Sequence, residues 1–132
     1  MNRREARKQA FLLLFQYKFQ PDAMETLLKD FFEENKAGDQ REYIESVVMG
    51  TVKNAEEIDR VLGEYSIDWQ VDRIASVSLA ALRLGAYEML YMKDIPSAVS
   101  VSEAVALAKE FEGEEAAPFV NGILGKLKER IG

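Results

Sequence analysis

The sequence predicts an all-α bundle of about seven helices, and three observations carry that prediction. Apolar residues recur at intervals of three, four and seven along nearly the whole chain, the spacing of one helix face. Helix-breaking punctuation is sparse, with eight glycines and three prolines in 132 residues. Strand-type alternation never runs beyond a few residues, Val99–Val101 being the nearest approach.

Ala6, Ala10, Leu13, Leu14 and Tyr17 mark the face of a first helix, which Pro21 and Asp22 end. Leu27, Leu28, Phe31 and Phe32 mark a second, and the polar stretch Glu33 to Gln40, with Gly38, reads as a loop. A third helix starts at Asp39 or Arg41 and runs through Tyr43, Ile44, Val47 and Val48. Asn54-Ala55-Glu56-Glu57 has the form of a capping box, an acceptor side chain with an acid three positions on. It predicts the start of a helix carrying Ile58, Val61, Leu62 and Tyr65.

Val71 to Met92 is the most apolar segment, with Arg83 and Glu88 as isolated charges, and reads as a central helix covered on most sides. Asp94-Ile95-Pro96 ends it. Ser100-Val101-Ser102-Glu103 forms a second capping box, opening a helix of Ala104, Val105, Leu107, Ala108 and Phe111 that Gly113 closes. Pro118 suits the first position of a last helix, where a missing N–H costs nothing, followed by Val120, Ile123, Leu124, Leu127 and Ile131. Gly85, Gly122 and Gly125 fall inside helices, where alanine would be about 1 kcal/mol better. Close approach of packed helices is the favoured reading; a ligand notch is the alternative.

The length suits one domain, 1–132, with a single core. Zero cysteines exclude a disulfide scaffold, a thiolate metal site and a cysteine nucleophile. Zero histidines remove the commonest metal ligand and general base. Gly122-Ile123-Leu124-Gly125-Lys126 lacks the spacing and the following Ser or Thr of a phosphate loop. The acid pairs Glu33/Glu34, Glu56/Glu57 and Glu114/Glu115 read as solvated charges at loops and helix starts. The expectation is a protein with no catalytic residues, no metal and no cofactor. Neither a signal peptide nor an apolar run of about 20 residues is found, which predicts a cytoplasmic protein without a membrane span.

Charge is unevenly placed. The chain carries −6 overall, yet residues 1–19 hold Arg3, Arg4, Arg7, Lys8 and Lys18 against Glu5 alone. Cations in the first turn of a helix face the positive end of its dipole, so stability alone would not choose that place. A phosphate would, because unpaired backbone N–H groups already favour an anion there and arginine adds bidentate donors. A nucleic-acid backbone site and a merely solvated basic helix start are equally good readings of this pattern. Phe15, two turns beyond Arg7, and Phe119, near the amide of Asn121, are candidate stacking rings for unpaired bases, with burial in the core as the other reading. Trp69 is either a lid on the core or a partner contact.

Four stretches, RREARKQAFLLLFQ, RIASVSLAALRLGAYEMLYM, DIPSAVSVSEAVALAKEF and PFVNGILGKL, together resemble the NusB family of bacterial transcription antitermination factors, in order from Arg3 to about Leu127. The resemblance implies two packed helical subdomains and no enzymatic activity. It implies binding of single-stranded boxA-type RNA in ribosomal RNA leaders, together with a small-subunit ribosomal protein that doubles as an antitermination factor, in a complex with RNA polymerase. Family members occur as monomers and as homodimers. Carried over by position, the RNA contacts fall on Arg3, Arg4 and Arg7, with Lys8 beside them, and on Phe15, Phe119 and Asn121. The protein partner is expected on another surface, around Tyr65 to Arg73. Glu5 between the arginines and Pro118 before FVNG depart from the family pattern, as do Ser78 and Leu79, where an acid and an arginine are common. Exchanging Arg4 and Arg7 for glutamate is expected to abolish RNA binding without lowering the melting temperature. The alternatives are a protein-binding helical adaptor without RNA affinity and a module like the N-terminal region of ribosomal RNA cytosine methyltransferases. The latter need a following cofactor-binding domain, for which 132 residues leave no room.

Overall fold

Seven α-helices joined by short turns make up most of the residues that the computed structural model describes, 1–67 and 70–131. They are α1 (Arg3–Tyr17), α2 (Met24–Glu34), α3 (Arg41–Lys53), α4 (Ala55–Tyr65), α5 (Ser76–Tyr91), α6 (Ser97–Phe111) and α7 (Ala116–Ile131). The all-α prediction holds. Trp69 lies outside the described residues.

Helix ends differ from the sequence reading where side chains find other partners. The true N-cap of α1 is Asn2, whose Oδ1 accepts from the Glu5 N–H at 2.8 Å. Asn54 does not cap α4 with its side chain. Its Nδ2 donates to the Gly50 carbonyl at 2.8 Å and closes α3 instead. The Ser100 capping box is also absent. The helix begins at Ser97, with Pro96 extended at its N-cap, which leaves Ser100 a full turn inside, buried, with its Oγ donating to Glu88 at 2.7 Å. The central helix begins at Ser76 rather than Val71, because Val71–Arg73 form a separate 3-10 turn and Ile74 is extended. Pro118 is the third residue of α7, still within the first turn where no intrahelical N–H bond is lost. Within the expected loop, α2 runs on to Glu34 and Gly38–Gln40 make a 3-10 turn.

Twelve consecutive residues of α5, Ser78 to Met89, are buried, and the helix packs against α1, α3, α4, α6 and α7. Helices α1, α2 and α3 pack among themselves on one side, and α5, α6 and α7 on the other, with α4 touching α3, α5 and α7. One continuous hydrophobic cluster runs through both groups. Gly85 shows why α5 approaches its neighbours so closely: a Cβ there would lie 3.2 Å from Ala104 Cβ and 2.6 Å from Leu124 Cδ1. Gly122 and Gly125 do not follow suit. A Cβ at either would meet nothing within 4 Å, so the close-packing expectation fails for both.

Candidate nucleic-acid interface

The capped start of α1 aims its cations in two directions. Arg3 and Arg4 face outward. Arg3 Nε donates to Gln40 Oε1 at 2.7 Å, and its guanidinium lies 4.1 Å from the centre of the Tyr43 ring. The Arg4 side chain is 84% exposed, with Nε 3.1 Å from Glu103 Oε1. Lys8 is partly exposed, its Nζ 3.4 Å from Glu110 and 5.4 Å from the Phe111 ring centre.

Arg7 turns inward, and this corrects the reading of it as an exposed phosphate ligand. Its side chain is 6% exposed. Nε and Nη2 donate to the Glu88 carboxylate at 2.8 and 3.3 Å, and Nη1 lies 3.3 Å from Glu103 Oε1. Glu88, wholly buried on α5, also accepts from Tyr43 Oη and Ser100 Oγ. A buried carboxylate survives only when paired and hydrogen-bonded, and three helices, α1, α3 and α6, supply those donors here. Burial would lower the Arg7 pKa, but the Glu88 hydrogen bond and the surrounding negative groups outweigh it and raise it, so Arg7 stays charged. Burial, followed by the charge of Glu88, pushes the Tyr43 phenol far above its ordinary range. Exchanging Arg7 for glutamate would therefore strike the core, contrary to the expectation of an unchanged melting temperature.

A groove of about 490 Å³ runs between α1 and α6, with Arg4 and Lys8 on one wall and Ser102, Glu103 and Glu110 on the other. Ser102 is also the rim of a second groove, about 630 Å³, between α6 and α7, where Asn121 and Lys128 stand. The structure thus joins Arg4, Lys8 and Asn121 on one continuous surface. Phe119 is elsewhere. It lies about 200° from Asn121 around α7, half-buried, on the wall of a pocket of about 240 Å³ shared with Arg73, Ser78 and Glu112. Glu112 is fixed there by the Ser78 N–H and Oγ, at 3.2 and 2.8 Å, and so caps α5 from a distance. Phe15 is half-buried against the core, its ring 5.4 Å from that of Phe19, and does not line the α1–α6 groove. Tyr65, at the edge of the surface expected to meet a protein, accepts from Arg130 at 3.3 Å.

Beyond Glu5, sequence reading missed the acids that the fold brings to this cluster. Glu5, Glu88, Glu103 and Glu110 together offset Arg3, Arg4, Arg7 and Lys8, so the basic corner read along the chain is close to neutral in space. Glu88 carried the one usable signal: a lone carboxylate in an apolar helix requires a buried cation from elsewhere. Among the described residues no group of three or more carboxylates is placed to hold a metal ion, and no helix is long and apolar enough to cross a membrane.

Residues 4–129 match the family model described as the NusB family. This chain belongs to the NusB family. The transcription antitermination protein NusB of Acetivibrio thermocellus is 44% identical over 128 residues, covering 96% of this chain and 88% of that protein. The NusB of Bacillus subtilis is 38% identical, covering 99% and 98%. Among solved structures, Thermotoga maritima NusB superposes with a TM-score of 0.90 at 33% identity, covering 98% of this chain and 92% of that one. A chain in the crystal structure of antitermination factors NusB and NusE in complex with double-stranded RNA gives 0.87 at 32% identity, covering 97% and 96%. NusB membership places the chain among transcription antitermination proteins. The family resemblance read from the four sequence stretches holds over essentially the full chain.

Proposed function

We propose that this chain is a non-catalytic adaptor that binds boxA-type single-stranded RNA of ribosomal RNA leaders. It does so together with a small-subunit ribosomal protein, in the RNA polymerase antitermination complex in the cytoplasm. The observation that carries the reading is the outward placement of Arg4 and Lys8 along the α1–α6 groove, with Arg3 exposed at the same helix start and the separate Asn121 groove sharing the rim residue Ser102. Those cations hold phosphates; the Asn121 amide, able to donate and accept, reads a base edge. Arg7 acts indirectly, by fixing α1 against α5 and α6. The solved complex of NusB and NusE with double-stranded RNA supports both kinds of partner. Phe119, on its separate pocket, stacks on an unpaired base if the strand continues around α7, and Phe15 is the weaker candidate for that role.

Three phosphate contacts on a single strand give a fall in log K of about two units per tenfold rise in salt. The test is a titration against a boxA-type strand, a scrambled strand and a duplex, with and without the ribosomal protein, at two salt concentrations. Preference for the boxA-type strand, strengthened by the protein and weakened by salt, is the expected result. Retention of the ribosomal protein with no RNA bound under any condition would show a purely protein-binding adaptor.

A further inference from the structure

Arg4 and Lys8 are already occupied. The Glu103 carboxylate accepts from Arg4 Nε at 3.1 Å and Nη2 at 3.5 Å, and Glu110 stands 3.4 Å from Lys8 Nζ. Both acids project from α6 across the groove that the RNA would enter. Glu103 is held there rigidly, with its side chain 16% exposed and a second contact to buried Arg7. Arg3 differs, since among the described residues its guanidinium meets only Gln40 and the Tyr43 ring.

We infer that Glu103 and Glu110 are affinity-limiting acids, tethered competitors that phosphates must displace from Arg4 and Lys8. The inference rests on the RNA-binding reading above. At Arg4 a phosphate leaves Glu103 with Arg7 alone; at Lys8 it exchanges one ion pair for another and strands the Glu110 carboxylate facing a polyanion. That carboxylate recruits a cation from solution. Binding therefore releases fewer ions in total than the exposed cations alone would give, and the salt response is shallower. Phosphate contact by itself yields little, and retention depends on base contacts or on the protein partner.

Glu110→Gln is the direct test, because Glu110 is half-exposed and pairs only with Lys8 among the described residues. Expected is binding of a boxA-type strand tighter by roughly 1.5- to 5-fold, the range an exposed ion pair supports. The slope of log K against log salt should steepen by about 0.7. Glu103→Gln should act in the same direction, with a melting curve taken beside it because the same side chain touches Arg7. Glu25→Gln, on α2 outside the groove, makes the same change in net charge and should leave affinity and slope alone. If Glu110→Gln matches wild type in both, or Glu25→Gln raises affinity as much, the inference is wrong. A wild-type chain that binds no RNA, alone or with the ribosomal protein, removes the RNA-binding reading and the inference together.

Discussion

Arg4 and Arg7, three residues apart on α1, meet opposite surroundings, and their substitutions should separate cleanly. Removing one member of a buried ion pair strands the other and costs about 3–5 kcal/mol. Arg7→Ala or Glu88→Gln should therefore lower the melting temperature by several degrees or more, whereas Arg4→Ala should stay within about 0.5 kcal/mol of wild type. Thermal melts of the three variants check this. Tyr43 adds a pH dependence. Its pKa is raised in the fold by burial and by Glu88, so the folded state holds the phenolic proton more tightly than the unfolded one. The associated stability is complete below the unfolded value near 10 and is lost as pH climbs beyond it. Tyr43→Phe should flatten that alkaline decline in a pH-resolved denaturation series. The sequence showed Arg7 as a cation and Glu88 as an odd charge; only the packing of α1 on α5 shows that each answers the other.

The glycines make the corresponding point for helices. Gly85→Ala would drive a methyl to 2.6 Å from Leu124 Cδ1, an overpacking that costs about 1–3 kcal/mol. Gly122→Ala and Gly125→Ala meet open space, so each should stabilise by up to about 1 kcal/mol. Chemical denaturation of the three variants would show one midpoint falling and two rising. Periodicity made the existence of every helix legible, because a bundle must bury one stripe of each. Their ends were less legible. Asn54 and Ser100 fit the capping pattern by residue type, but a carbonyl at Gly50 and a carboxylate at Glu88 took their side chains. Asn2, unremarked in the sequence, is the cap that orients the basic start of α1.

Across the full chain, a protein of net charge −6 keeps its exposed α1 cations at one end of a bundle whose core is continuous. The linear charge run picks out those cations. It overstated the positive field there, because Glu88, Glu103 and Glu110 come from 80 or more residues away in sequence and only the fold brings them in. The join between the Arg4 groove and Asn121 through Ser102 was equally invisible, as was the separation of Asn121 from Phe119. Both depend on how α6 and α7 are rotated about their axes.

The decisive measurement is the affinity of a boxA-type single strand for wild type and Arg4→Glu at about 50 and about 200 mM salt, with melting curves for both proteins. Phosphates held by the outward cations of α1 require wild-type binding that weakens across that interval and is lost in Arg4→Glu at an unchanged melting temperature. Binding that ignores salt, or that survives Arg4→Glu intact, would place the RNA on some other face of the molecule.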